Sequence, residues 1–154
     1  MKSDVYGPMQ IYVKVLRSSC STMEQVIELL EKREEYFDGL TYYAGMDRLK
    51  ICKDAEQGIR EYLRGRKALS KEMEQYQLRQ IENWEDDLNK LFVEWHLHDD
   101  ETEVILSVLK AQKDVKIYSF GEDLSYFVIG NITNYFRWIQ IVDKWYVLTF
   151  ELYD

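Results

Sequence analysis

YFRWIQIV (residues 135–142), then DK (143–144), then WYVLTFELY (145–153), is the stretch that decides the fold. Valine, isoleucine, tyrosine, phenylalanine and tryptophan at this density suit a pleated, half-buried surface. Two such runs separated by two residues predict a β-hairpin turning at Asp143-Lys144, although Asp-Lys is a weaker turn signal than Asn-Gly. Along the second run, Tyr146, Leu148, Phe150 and Leu152 alternate with their neighbours. They therefore share one face of the sheet, the face expected to meet the core.

Upstream, VKIYSF (115–120) predicts a third strand, with a turn at Gly121-Glu122-Asp123, while the apolar residues 125–129 fit more than one element. Glu101 to Ala111 predicts a helix using Val104, Ile105, Val108 and Leu109. Val93-Glu94-Trp95-His96-Leu97-His98 alternates with a period of two and favours a strand, with a helix continuing to Trp95 as the close rival. Leu69 to Lys90 carries the longest helical periodicity: Met73, Tyr76, Gln80, Trp84, Leu88 and Leu91 fall on one side, and Glu82, Glu85, Asp86 and Asn89 on the other. Ala55 to Arg64 reads as a helix, and Met46 to Cys52 as a short one. Ser21, with Glu24 three residues on, has capping-box spacing for a helix ending at Asp38-Gly39. Ile11, Val13 and Val15 alternate within MQIYVKVL (9–16), a strand. The sum is one α+β domain over residues 1–154: an antiparallel sheet of the N-terminal strand and the C-terminal strands, with helices packed on one face.

A chain of 154 residues is long enough to support its own core. Cys20 and Cys52 stand in no metal-type spacing and read as reduced thiols, which with the missing apolar signal region predicts a cytoplasmic protein. No run approaches the ~20 apolar residues of a membrane span, so no membrane partner is expected.

Charge is distributed unevenly. Residues 82–103 hold nine carboxylates (Glu82, Glu85, Asp86, Asp87, Glu94, Asp99, Asp100, Glu101, Glu103) against Lys90, a net of −8, equal to the net charge of the whole chain. Residues 48–71 hold eight basic side chains against three acidic ones, a net of +5. Such polarity creates a field that steers partners.

Chemistry is harder to find. His96 and His98 are the only histidines. On a strand they share a face, beside Asp99, Asp100, Glu101 and Glu103, a set able to offer imidazole and carboxylate to a divalent ion. Two ligands do not make a site, and a solvated strand face explains them equally well. No metal or other cofactor is expected. Neither a nucleophile elbow nor a phosphate loop occurs, so no catalytic residue is assigned. A Cys–His pair would need Cys20 or Cys52 to approach His96 in space. Arg60, Arg64 and Lys67 form a basic helical ridge, with Tyr42, Tyr43 and Tyr62 as possible stacking surfaces. The sequence pI near 4.9 opposes phosphate binding, so direct contact with nucleic acid is not expected.

The function class that fits best is a non-catalytic binding module, an acidic inhibitor of a basic partner such as a nuclease or toxin. Immunity proteins, antitoxins and phage anti-defence proteins share this composition. The expected contact residues are Glu82, Glu85, Asp86, Asp87, Asp99, Asp100 and Trp95. Two other classes compete: a small hydrolytic enzyme built on His96 and His98, and a nucleic-acid accessory protein using residues 48–71.

Overall fold

The computed structural model describes residues 20–36, 42–51, 54–66, 71–121, 127–129 and 132–153. The expected strand at 9–16, the stop at Asp38-Gly39 and the turn residues Glu122 and Asp123 lie outside them. The C-terminal hairpin is present and central. Strand β5 (Ile132–Ile141) pairs antiparallel with β6 (Lys144–Tyr153) over their whole length. Its register sets Ile141 opposite Lys144, so the loop is Val142-Asp143, one residue earlier than expected. Val142 supplies the positive φ (59°) that tight hairpin turns require, a conformation a β-branched residue adopts only under strain.

Around this hairpin lie β1 (Tyr42–Leu49), β2 (Leu78–Gln80), β3 (Val115–Phe120) and β4 (Phe127–Ile129). The sheet runs β1-β6-β5-β3-β2, with β4 also on β5, and every pairing is antiparallel. The helices are α1 (Met23–Tyr36), α2 (Ala55–Gly65), α3 (Trp84–Glu94) and α4 (Asp99–Lys110). The α+β class and the antiparallel sheet are thus as expected.

The two sheet faces carry separate cores. Tyr146, Leu148 and Phe150 of β6, Tyr135 and Ile139 of β5 and Ile117 of β3 bury against α1, α3 and α4. The alternate residues Val147, Phe136, Trp138 and Phe120 bury against Ile59 and Leu63 of α2. Among the described residues, three helices therefore share one face, and one covers the other. The physical reason is that Phe136, Trp138 and Val147 are as apolar as their neighbours, so the central strands need cover on both sides.

Three expected elements are replaced. The helix expected from Met46 is not formed over the described residues 46–51: residues 42–49 are a strand registered against β6, at the edge of the sheet among the described residues, in which Ala44 and Met46 bury their side chains. The long helix from Leu69 is broken into a 3-10 turn (Glu72–Gln75), β2 and α3. Pairing of Leu78 and Gln80 with Phe120 and Tyr118 overrides the local periodicity there. The strand at 93–98 is instead a helix end. The Leu97 N–H donates to Phe92 O (2.9 Å) and the His96 N–H to Val93 O (3.1 Å), a Schellman stop with His96 in the left-handed region (φ 60°). Alternation of Trp95 and Leu97 reflects that turn returning to the core. At α1 the capping box sits one residue later than expected. Thr22 Oγ1 accepts from the Gln25 N–H, and Gln25 Oε1 accepts from the Thr22 N–H.

Candidate functional site

Helices α3 and α4 form an antiparallel hairpin. Glu85, at the start of α3, meets Lys110, at the end of α4, at 3.3 Å. The connection is short because it is built from two caps. After the Schellman stop, His98 Nδ1 accepts from the Asp100 N–H (3.1 Å), while Glu101 Oε1 accepts from the His98 N–H (2.9 Å). Both histidines thus have local roles: His98 caps α4, and His96 packs its ring 4.1 Å from that of Tyr42. They do not share a strand face. Among the described residues, no three His, Cys, Asp or Glu side chains stand together as a metal site.

The nine carboxylates divide by burial. Glu101, only 1% exposed, accepts two bonds from Arg33 of α1, at 2.6 Å from Nε and 3.3 Å from Nη2. Asp87 accepts two from Arg137 of β5, at 2.8 and 3.0 Å, and the same guanidinium donates to the Tyr135 hydroxyl. Burial works to lower the pKa of Arg137. Its hydrogen bonds and attraction to Asp87, joined by Tyr135, outweigh that and hold it above its ordinary value. Asp100 lies half-buried beside His98, its carboxylate 3.5 Å from Nδ1. Glu82, Glu85, Asp86, Glu94, Asp99 and Glu103 remain exposed. Asp86 accepts from the Asn83 amide at 2.7 Å.

Trp95 is not on this surface. It is 5% exposed and stacks on Phe150 with ring centres 5.5 Å apart, so it belongs to the core. Asp87 likewise has its carboxylate committed to Arg137. The helix end at Trp95 turns its side chain into the core.

Between α3 and α4 lies a groove of about 370 Å³, lined by Asn89, Val93, Asp99, Thr102, Glu103, Leu106, Ser107 and Lys110. Val93 is 62% exposed, one of two large hydrophobic side chains so open among the described residues. Val93 and Leu106 give the groove an apolar centre, and Asp99 and Glu103 give it an acidic rim. Sequence reasoning missed the exposed Val93 and the half-buried Leu106 as groove residues. Reading α3 through Glu94 would have placed Asn89 and Val93, four apart, on the outer side with Glu85.

The basic segment is engaged differently. Arg60 donates to the Tyr76 carbonyl (2.7 Å) with its guanidinium over the Phe120 ring, and Arg64 donates to both Glu74 oxygens. Arg66 donates to Glu151 at 2.8 Å. Tyr62 packs edge-on to Trp138 and Tyr42 edge-on to Trp95. Lys67 lies outside the described residues. The expected ridge is therefore largely spent on internal bonds. Burial pushes the Cys20 thiol up to about 11, opposite to the lowering that activates a nucleophile.

No helix among the described residues is long and apolar enough to cross a membrane. Compared with known proteins, the chain matches no family model, no curated protein and no solved structure.

Proposed function

We propose that this protein is a binding module that docks a basic protein through the α3–α4 face, acting as a stoichiometric inhibitor of a nuclease- or toxin-like partner. One observation carries the reading: five exposed carboxylates (Glu85, Asp86, Glu94, Asp99, Glu103) lie on α3 and α4, a sixth, Glu82, lies just before α3, and the same two helices hold an open groove lined by Val93 and Leu106. The two functions of such a surface are physically separable. Acidic residues raise the association rate by steering, and desolvated apolar contacts slow release. Glu101 and Asp87 contribute by fixing the helices from beneath, not by touching the partner.

Capture on immobilised protein from the source cells at low salt tests the reading. The expected result is a basic protein retained by the native chain and absent from a Glu94→Lys/Glu103→Lys variant. These two positions suit reversal because neither forms an ion pair among the described residues, whereas Glu85→Lys would also set a lysine against Lys110. The same protein retained equally on both would overturn the reading. Circular dichroism of the variant checks that the fold is intact.

A further inference from the structure

Val93 stands in the last turn of α3 with 62% of its surface exposed, while Leu88, Leu91 and Phe92 of the same helix are buried. A single exposed valine calls for no explanation. This one lines the α3–α4 groove together with the half-buried Leu106, and every residue lining that groove is described. The groove walls are the sides of two helices, whose backbone groups are spent on bonds within each helix. They offer an occupant side chains and no strand edge. An extended segment lying there would find no backbone partners, whereas a helix brings its own backbone bonds with it.

The two ends of the groove differ in charge. At the end where α3 stops and α4 starts, Asp99 and Glu103 are exposed and form no ion pair among the described residues. At the opposite end Lys110 is paired with Glu85 at 3.3 Å. Unmet negative charge therefore lies at one end only. The lining residues of α4 run from Asp99 to Lys110, which at ~1.5 Å per residue is about 16 Å, or roughly three helical turns.

We infer that the element of the partner seated in this groove is one amphipathic helix of about three turns or more, with its lysines or arginines gathered at one end. Its aliphatic stripe lies on Val93 and Leu106, and its cationic end meets Asp99 and Glu103. The inference rests on the reading that the α3–α4 face docks a basic protein, and it names the part of that protein which docks. Charge complementarity at one end selects the direction in which the helix lies, and the valine and leucine contacts hold it.

The probe is a fluorescein-labelled, alanine-rich peptide of about 18 residues, long enough to be helical in water, with leucines at helical spacing and lysines in its last two turns. Its comparison probe replaces two central alanines by proline, which keeps the leucines and the charge and breaks the helix. Fluorescence anisotropy should show the first binding the full-length protein at least tenfold more tightly than the second. Val93→Glu should lose at least tenfold in affinity although it adds a negative charge, and Val93→Leu should keep it. Val93 is exposed, so both variants should retain the native circular dichroism spectrum. A nitroxide at the lysine end of the peptide should broaden the amide resonances of residues 99–103 more than those of residues 107–110. Equal binding of the two peptides, unchanged affinity of Val93→Glu, the reverse broadening pattern or absence of binding would each overturn the helix. So would concentration-dependent self-association abolished by Val93→Glu in analytical ultracentrifugation, since the occupant would then be a second copy. The capture experiment uses no peptide and separates the two failures. A basic protein retained by the native chain and lost from Glu94→Lys/Glu103→Lys would leave the docking reading standing without the helix, and equal retention would overturn the docking reading itself.

Discussion

Glu101→Ala separates structural from surface charge within one acidic run. Glu101 is 1% exposed and Arg33 is 5% exposed. Removing the carboxylate deprives a buried guanidinium of its 2.6 Å partner, a change that costs about 3–5 kcal/mol in comparable sites. It also removes the acceptor for the His98 N–H in the capping box, worth ~1 kcal/mol. The two losses come from one side chain and overlap, so about 4–5 kcal/mol is expected. That is a large part of the ~5–15 kcal/mol that holds a domain folded. With a urea slope of ~1–3 kcal/mol/M, the midpoint should fall by roughly 2 M. Glu103→Ala, two residues on and exposed, should stay within about 0.5 kcal/mol of the native chain. The double variant Arg33→Met/Glu101→Met removes both charges together and should recover most of the loss. Urea titrations followed by far-ultraviolet circular dichroism measure all three. A Glu101→Ala midpoint indistinguishable from that of Glu103→Ala would refute the reasoning.

Two further outcomes follow from local geometry and titration. Val142→Gly relieves a left-handed β-branched residue at the exposed hairpin loop and should stabilise the protein by about 1 kcal/mol, read as a higher urea midpoint. In a Cys52→Ser background, alkylation of Cys20 by iodoacetamide should rise with an apparent pKa of about 11 instead of the ordinary 9.0, so labelling at pH 8 should be slow. Because the folded thiol keeps its proton to higher pH than the unfolded one, its contribution to stability is complete below pH 9 and is lost as pH rises toward 11. Cys20 is only partly buried, so solvent screening should keep that loss below ~1 kcal/mol. A labelling profile centred near 9 would contradict the burial of this thiol.

How much was legible in the sequence depends on how local the cause was. The hairpin was legible because ten-residue strands rich in branched and aromatic residues leave few alternatives, and α4 because Val104, Ile105, Val108 and Leu109 repeat at helical spacing. The hairpin loop was misplaced by one residue because Val142 gives no turn signal. Strand β1 was hidden because Gly45, Asp47 and Arg48 are poor strand formers, and it exists by pairing with β6. Residues 93–98 misled because a Schellman stop without glycine imitates alternation: His96 takes the position where glycine would have announced the end of α3. That misreading concealed Val93; Trp95 was expected at the surface because it lies inside the acidic run and tryptophan is enriched at interfaces. At the candidate site, the acidic block was visible as charge, but its division was not. Nothing in residues 82–103 tells that Asp87 and Glu101 are claimed by Arg137 and Arg33, which lie fifty and sixty-eight positions away.

The most direct measurement of the central claim is the association rate constant of the captured basic partner with the native chain and with Glu94→Lys/Glu103→Lys, each followed by stopped-flow fluorescence at about 0.02 M and about 0.5 M salt. Screening shortens from roughly 20 Å to about 4 Å across that range. The account predicts a native rate on the order of tenfold faster than the variant at low salt, converging at high salt, with dissociation rates changed little. Equal association rates for the two chains at low salt would contradict docking through the α3–α4 face.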